Sequence, residues 1–346
     1  MNSFSAVIIR WFRENGRDLP WRETRDSYAI WLSEIILQQT RIAQGWEYWE
    51  RFMQTYPKVE DLAAASEDDV LKLWQGLGYY SRARNLHTAA KQIVALGDFP
   101  NTLEGIKSLK GVGDYTAAAI GSFAFGIPAA VVDGNVYRVL SRYFGIDTPI
   151  NSTQGKKEFA ALAQSLLPAS DAASYNQGMM DFGAIQCTPQ SPKCLLCPLA
   201  ETCEALRCGR VEELPVKNKT VKVKTRHLSY IYIRCKSSAA DGAGNSEPMV
   251  AIHRRGEGDI WQGLWEPYNA SDIKELPSFV KNPILLAKDV KHVLTHRILL
   301  ADFYLLETES RPPLPDDYIW IRESEIEDYG VPRLIEIMLE KINPAE

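Results

Sequence analysis

Four closely spaced cysteines limit the folds open to this chain more than any other feature. Cys187, Cys194, Cys197 and Cys203 form the pattern C-x6-C-x2-C-x5-C within seventeen positions. In the reducing cytosol such a group binds metal rather than forming disulfides. Zinc sites usually pair two C-x2-C knuckles across a longer gap, so the uneven spacing favours a cubane iron–sulfur cluster, with zinc as the alternative. The loop between the first two cysteines, TPQSPK, ends in Lys193, which could meet a phosphate.

The remaining composition indicates a cytoplasmic protein with two domains. A chain of 346 residues exceeds the size at which one core usually keeps growing. No apolar run approaches the length of about 20 residues that crosses a bilayer. The first sixteen residues have the spacing of an amphipathic helix rather than of a secretory signal. We therefore expect no membrane segment, and the lack of a heptad pattern predicts a monomer.

The net charge of −5 does not favour contact with nucleic acid over the whole surface. Such contact would depend on local basic patches and backbone amides. One basic stretch, VKNKTVKVKTR, begins at residue 216 and contains Lys217, Lys219, Lys222, Lys224 and Arg226. This stretch is equally consistent with a nucleic-acid contact and with a solvated linker.

Apolar periodicity divides the chain into a helical part and a β-rich part. Residues 3–206 have helical spacing and few strand signals. Two sets of positions show this spacing: Tyr28, Trp31, Leu32 and Ile35, and then Val136, Val139, Leu140 and Tyr143 before a stop at Gly145. After Pro215 come HLSYIYIRC and PMVAIHRR, separated by the insert SSAADGAGNSEP. The predicted domains are 1–215 and 228–346, joined by a basic linker at 216–227.

A helix-hairpin-helix is predicted in LKGVGDYTAAAIG at 109–121. One helix ends near Leu109, the chain turns through Gly111, Val112 and Gly113, and a second helix begins at Asp114. Glycines let the backbone approach a phosphate, and the free amides of the second helix point at the anion. By itself the turn is also consistent with a plain helix connection.

An acidic side chain, Asp133, precedes the next helix in VVDGNVYRVL. Asp and Asn are both common helix caps. We expect Asn135 to supply the cap, which leaves the carboxylate of Asp133 available for chemistry.

Together the cysteine spacing, the hairpin and the following Asp resemble the endonuclease III superfamily. The segments WLSEIILQQT and GLGYYSRARNLH narrow the resemblance to MutY-type adenine DNA glycosylases. This implies an all-α catalytic domain with a 4Fe-4S cluster and an α+β Nudix-like C-terminal domain. It also implies a DNA partner, duplex DNA with adenine opposite 8-oxoguanine or guanine.

The resemblance also implies roles for individual residues. Glu34 would protonate the adenine, since apolar helix neighbours Ile30, Trp31 and Leu37 raise a carboxyl pKa. Asp133 would stabilise the cationic sugar, following the logic of two-carboxylate glycoside hydrolysis. The resemblance places further residues around the substrate: Tyr115 and Asn135 in the catalytic pocket, Arg22 near the extruded adenine, and Gln39, Thr40 and Tyr79 facing the opposite base, with Tyr79 as a wedge. Gln38 is a further DNA-binding residue that the resemblance implies.

One hairpin residue distinguishes enzymes within the superfamily. Members that also cut the strand carry a lysine nucleophile early in the second hairpin helix. Tyr115 occupies that place here, which predicts a monofunctional glycosylase. Tyr137 stands where some members have a lysine. The alternatives are a glycosylase-lyase for oxidised pyrimidines and a non-catalytic DNA-binding protein.

The C-terminal segment WQGLWEPY at 261–268 resembles the Nudix-like domain of the same family. No R-E-x-x-E-E run follows it, so we expect recognition rather than hydrolysis. Relatives read the oxidised guanine with a Phe-Ser-His loop, and Leu294, Thr295 and His296 match it here. Thr295 keeps a hydroxyl, whereas Leu294 lacks the aromatic ring. A plain alternating strand through KHVLTHRILL is the alternative.

Overall fold

The computed structural model groups the chain into two compact units. The first contains Met1–Ala64 and Thr88–Thr220, and the second contains Ala65–His87 and Val221–Glu346. The structure describes residues 3–218, 223–236, 247–271, 273 and 276–343. Within those stretches, no helix has both the length and the apolar character needed to cross a membrane.

Helices dominate the first unit. In chain order the helices are α1 (Ser3–Asn15), α2 (Ser27–Ile36), α3 (Ile42–Thr55), α4 (Val59–Ala64), α5 (Glu67–Leu73), α6 (Ser81–Leu96), α7 (Leu103–Ser108), α8 (Asp114–Phe125), α9 (Gly134–Phe144), α10 (Thr153–Leu166), α11 (Ala172–Asp181), α12 (Glu204–Arg207) and α13 (Arg333–Ile342). Of these, α5, α13 and the start of α6 belong to the second unit.

The two helices predicted from apolar spacing form as expected. The Asp26 side chain caps α2 by accepting a hydrogen bond from the Tyr28 amide at 2.9 Å. The apolar side of α2 is buried, including Trp31 and Leu32 at 0% exposure. Gly145, with φ of 70°, ends α9 in the left-handed conformation that glycine tolerates best.

One core of the first unit lies where α1, α9, α10 and α11 meet. Ile8, Val139, Phe159 and Tyr175 are among its buried side chains. A Cβ at Gly178 of α11 would lie 3.0–3.1 Å from side-chain atoms of α1, so a larger residue would force the two helices apart.

One sheet forms the centre of the second unit. Its strands are β1 (Lys224–Cys235), β2 (Met249–Arg254), β3 (Trp265–Glu266), β4 (Tyr268–Asn269), β5 (Ile284–Val293), β6 (Arg297–Thr308) and β7 (Tyr318–Arg322). The strand order is β3-β2-β1-β6-β5, with β4 also paired to β1 and β7 to β2. β1 and β6 run parallel, and the other pairs are antiparallel.

β1 is buried on both faces. Tyr230 and Tyr232 join one core, in which Leu334 and Met338 of α13 also pack. Ile231 and Ile233 join a second core on the other face. Side chains alternate between the faces of a strand, so a strand covered on both sides appears in sequence as the continuous apolar run YIYI.

Two boundaries differ from those drawn on the sequence. β1 begins at Lys224, so the last residues of the segment expected to be a linker, 224–227, pair with β6. Residues 65–87 group with the second unit, where Lys72 Nζ donates to the Tyr329 carbonyl at 3.4 Å and Arg254 bonds Glu67 at 2.9 Å. Such partners are far away in sequence, so local periodicity does not reveal them. Lys219, Lys222 and insert residues 237–246 lie outside the described residues.

Candidate active site

Glu34 lies in a small cavity of the first unit. It is two residues from the end of α2, and only 6% of it is exposed. The cavity has a volume of about 40 Å³, and Ile30, Leu37, Phe123 and Met180 contribute to its apolar wall. Ile30 and Leu37 were expected beside Glu34.

The third expected neighbour, Trp31, is directed elsewhere. Its ring centroid lies 6.1 Å from that of Tyr28 and 6.0 Å from that of Phe99. Trp31 is fully buried and is not among the residues that line the cavity of Glu34.

The surroundings of Glu34 keep its proton available at neutral pH. Burial raises the pKa of Glu34 to about 7, and the negative charge of Asp133 also raises it. The Tyr115 hydroxyl, which donates to Glu34 Oε2 at 3.1 Å, and the charge of Arg22 lower this pKa but do not cancel the effect of burial. The carboxyl is therefore close to half protonated near pH 7.

Arg22 is held at this cavity by a buried carboxylate, Asp181. Arg22 Nη1 and Nη2 donate to the two oxygens of Asp181 at 2.8 and 2.9 Å, and Arg17 Nε donates at 2.9 Å. Burial alone would raise the pKa of Asp181, but the hydrogen bonds from the two arginines outweigh it and hold this pKa below its usual value. Arg22 and Arg17 both line the cavity of Glu34.

Asp133, rather than Asn135, caps α9, so the sequence-based expectation was wrong. Asp133 Oδ1 accepts from the Val136 amide at 2.7 Å, and Oδ2 accepts from Asn135 Nδ2 at 2.7 Å. A carboxylate at this position reaches the third amide of the helix. Burial raises the pKa of Asp133, and the two donors and the charge of Arg138 oppose that rise.

Tyr115 interacts with both carboxyls, by a hydrogen bond to Glu34 and through the charge of Asp133. It lies in the first turn of α8 and donates to Glu34. Burial raises the pKa of Tyr115 well above its usual value, and the charges of Glu34 and Asp133 raise it further. Glu34, Asp133 and Tyr115 therefore share one electrostatic environment.

The hairpin turn has the expected shape. Gly111 has φ of 80°, and Gly113 precedes α8 without a side-chain cap. A Cβ placed on Gly113 would meet no atom within 4 Å, so the space beside this backbone is open. The Val112 side chain is 8% exposed and packs inward, so Val112 offers a ligand only its backbone.

The QQT segment directly follows α2. Gln38 Nε2 donates to Thr116 Oγ1 at 3.2 Å, and Thr40 Oγ1 donates to the Gln38 carbonyl at 3.4 Å. Gln39 is exposed and has φ of 57°, a left-handed conformation that is strained for this residue type. Such strain is concentrated at ligand contacts in proteins.

Tyr79 and the three residues that match the Phe-Ser-His loop lie together in the second unit. A β-turn between β5 and β6 carries Leu294, Thr295 and His296, and the Leu294 amide donates to the Arg297 carbonyl at 2.8 Å. The flanks are strands, so the strand alternative holds for the flanks but not for the three residues themselves. The Tyr79 hydroxyl is hydrogen-bonded to Thr295 Oγ1. These residues line a cavity of about 520 Å³.

The four cysteines line another cavity of the first unit, of about 30 Å³. Burial, together with the neighbouring thiols, raises the pKa of Cys197 to about 11, so four thiolates require a cationic group among them. Arg142 Nη1 lies 3.4 Å from Cys187 Sγ and donates to the Thr188 carbonyl at 2.8 Å. Among the described residues, no three His, Cys, Asp or Glu side chains are placed to hold a metal ion. A cubane cluster uses one thiolate per iron, which fits four separated sulfurs around one space.

Comparison with known proteins identifies the family. Residues 32–168 match the HhH-GPD superfamily of base excision DNA repair proteins, 187–203 the iron-sulfur binding domain of endonuclease III, and 244–341 the NUDIX domain. Over 355 residues the chain is 30% identical to the adenine DNA glycosylase of Buchnera aphidicola subsp. Schizaphis graminum (strain Sg), covering 97% of this chain and 98% of that protein. The chain belongs to the adenine DNA glycosylase family.

Another curated relative and two solved structures are also similar to this chain. The adenine DNA glycosylase of Mus musculus is 42% identical over 302 residues, which cover 83% of this chain and 57% of the mouse protein. A solved thermostable thymine-DNA glycosylase has a TM-score of 0.56 and 34% identity over 59% of this chain and 95% of its own. A trapped endonuclease III–DNA covalent intermediate, with TM-score 0.52 and 23% identity over 59% of this chain and 94% of its own, shares the helical fold.

These findings confirm the predicted fold class and cofactor. The chain has a helical helix-hairpin-helix domain with a 4Fe-4S cluster and a C-terminal Nudix-like domain containing a sheet. The sequence-based reasoning missed Asp181, which holds Arg22 beside Glu34, and Arg17, which lines the same cavity. The sequence does contain a signal for Asp181, because it is an acidic residue between Met180 and Phe182 at an otherwise apolar helix end.

Proposed function

We propose that this protein hydrolyses the N-glycosidic bond of adenine opposite 8-oxoguanine or guanine in duplex DNA and leaves an abasic site. The observation that carries the proposal is the pair of carboxyls formed by Glu34, which is buried, and Asp133, whose charge raises the pKa of Glu34. One of them has a pKa of about 7. Enzymes that break glycosidic bonds combine a protonated acid with a second carboxylate in this way.

Glu34 is the proposed general acid. Protonating the adenine ring makes the base a better leaving group, and a general acid works best with a pKa near the working pH. Ile30 and Leu37 line the same cavity and make the surroundings of the carboxyl less polar. Arg22, fixed by Asp181, faces the same cavity and contributes to holding the extruded base.

Asp133 is the proposed stabiliser of the cation that develops on the sugar. The Val136 amide and the Asn135 side chain both donate to it, which favours its charged form and fixes its direction. Water then completes the hydrolysis. Because a tyrosine, not a lysine, stands early in α8, no amine is present there to form a Schiff base, which supports a monofunctional enzyme.

Contacts with the DNA are proposed at three places. Backbone amides around Gly111, Val112 and Gly113 would hold a phosphate at the start of α8. Gln38, Gln39 and Thr40 would contact the mispair. Tyr79 and the turn of Leu294, Thr295 and His296 would read the oxidised base, because hydroxyl groups at Tyr79 and Thr295 can bond its edge.

We also propose that the four cysteines are the cluster ligands, and that the protein works in the cytoplasm as a monomer.

Product analysis tests this function. The protein is incubated with a duplex carrying adenine opposite 8-oxoguanine, and products are compared with and without hot alkali. Strand breaks that appear only after alkali are expected. Immediate breaks would favour a lyase, and intact DNA would favour a binding protein without activity. Glu34→Gln and Asp133→Asn should each abolish the alkali-dependent breaks, and an adenine–thymine duplex is the substrate control.

A further inference from the structure

The backbone at and just before the proposed wedge residue, Tyr79, has several positive φ angles. Gly76, Gly78 and Tyr79 have φ of 97°, 69° and 47°, so three of four successive residues are left-handed. Glycine adopts this conformation freely, but for tyrosine it is strained. Surrounding contacts must therefore impose the conformation of Tyr79.

A buried arginine, Arg82, supplies several of these contacts. It lies in the first turn of α6 and is 8% exposed. Its Nη2 donates to the carbonyls of Leu77 at 3.2 Å and Gly78 at 3.3 Å, and its amide donates to the Tyr79 carbonyl at 2.8 Å. Trp74 Nε1 donates to the Gly78 carbonyl at 3.0 Å. The carbonyls of all three residues from 77 to 79 are thus tied to Arg82.

Arg82 also contacts aromatic rings. Its guanidinium carbon lies 5.6 Å from the ring centroid of Tyr79 and 5.0 Å from that of Trp74. Both distances lie within the range of cation–π attraction. The planar guanidinium can bond carbonyls at its edge while its face meets a ring, which the point charge of a lysine does not reproduce.

Tyr79 itself remains available to a ligand. The residue is 44% exposed, although its hydroxyl is bonded to Thr295. Arg82 fixes the backbone of Tyr79, and part of the Tyr79 ring is exposed. The ring is therefore preorganised for insertion between DNA bases, because little conformational entropy is lost on binding.

We propose that Arg82 is a positioning residue that fixes the Tyr79 ring for insertion into the base stack beside the lesion. The inference rests on the proposed function, in which Tyr79 is the wedge. Arg82 acts through Tyr79 and takes no part in breaking the glycosidic bond.

A double-mutant cycle on the full-length holoprotein tests the inference. Dissociation constants are measured for Arg82→Met, Tyr79→Ala and the double variant. The duplex carries 8-oxoguanine opposite a 2′-fluorinated adenosine, which resists base loss. Tyr79→Ala should weaken binding by roughly 5- to 150-fold, the range for one lost base–aromatic stack. Arg82→Met should weaken binding by roughly 2- to 30-fold, the range for a cation–π contact.

The decisive result is non-additivity. In the Tyr79→Ala background, Arg82→Met should cause no further loss, because the residue through which it acts is gone. A 2-aminopurine placed next to the 8-oxoguanine should report reduced insertion in Arg82→Met, while the single-turnover excision rate at saturating protein stays within about twofold of the unchanged protein. Equal losses in both backgrounds, or no loss at all, would overturn the inference.

Two further variants separate positioning from stability. Arg234 of β1 is a matched control, because it lies 5.9 Å from the ring centroid of Tyr232 and bonds Glu323. Arg234→Met should leave lesion binding unchanged. If Arg82→Met does not fold, Arg82→Lys is measured in its place and should show the same non-additivity. Failure of the unchanged protein to excise adenine would overturn the proposed function, whereas excision without coupling between Arg82 and Tyr79 overturns only this inference.

Discussion

Removing the Tyr115 hydroxyl should move the alkaline limit of activity to higher pH. The hydroxyl donates to Glu34 Oε2 at 3.1 Å and so favours the charged carboxylate. In the unchanged protein the pKa of Glu34 is about 7, and only the protonated form can act as the acid. The excision rate should therefore fall about tenfold for each pH unit above 7. Tyr115→Phe removes a contribution that lowers this pKa, so the pKa rises.

The size of the shift follows from the strength of the bond. A hydrogen bond to a charged group contributes about 1.5–3 kcal/mol, and one pKa unit corresponds to about 1.4 kcal/mol. In Tyr115→Phe, the descending limb of the profile of excision rate against pH should therefore shift to higher pH by about one to two units. At pH 8 the protonated fraction of Glu34 would rise from roughly a tenth to a half or more.

The assay is the single-turnover excision rate between pH 5.5 and 9.5, with saturating protein and a duplex carrying adenine opposite 8-oxoguanine. The position of the limb is the readout, because Tyr115→Phe could change the maximal rate for other reasons. Tyr137→Phe is the matched control, since Tyr137 lies in α9 and packs against Phe159 at a centroid distance of 5.2 Å. A limb that stays in place or moves to lower pH in Tyr115→Phe would refute the assignment of Glu34 as the acid.

Further predictions concern stability and specificity. Because burial raises the pKa of Glu34 from 4.5 to about 7, the folded state loses stability as the pH rises between these values, so Glu34→Gln should increase the free energy of unfolding at pH 8 by about 3 kcal/mol in urea titrations. Asp181→Asn should decrease it by about 3–5 kcal/mol, because Arg22 then lacks its buried partner; an unchanged midpoint would contradict this. Cys197→Ser should abolish the absorbance near 400 nm of an iron–sulfur protein, whereas Cys208→Ser should preserve it. Thr295→Val should lower the preference for 8-oxoguanine over guanine by roughly 5- to 10-fold, measured as a ratio of excision rates, and an unchanged ratio would exclude Thr295 as a reader.

Local patterns in the sequence were sufficient for the elements that depend on neighbouring residues. The helical spacing around Trp31 and the glycine after α9 correctly predicted buried helices and their ends. The cysteine spacing correctly predicted the cluster, because the four cysteines fall within seventeen positions and line one cavity. These features depend on residues a few positions apart, so the chain displays them directly.

Features that depend on distant residues were missed or misjudged. Asp181 joins Arg22 across 159 positions, and nothing near either residue indicates the other. The cap of α9 was assigned to Asn135 because both residue types cap helices, and only the geometry shows that Asp133 reaches the Val136 amide. Grouping of 65–87 with the second unit likewise depends on partners beyond residue 250.

The position of α5 in the second unit affects how the chain is made and how it can be shortened. Leu71 is 1% exposed, and its Cδ1 would lie 3.1 Å from a Cβ on Gly263, which the ribosome adds about 190 residues later. At a synthesis rate of 5–20 residues per second, Leu71 lacks this contact for about 10–40 s. A truncated protein that ends before β1 would leave the same apolar surface in water permanently. Such a fragment should aggregate more readily than the full chain, even if its four cysteines and the carboxyls of Glu34 and Asp133 are intact.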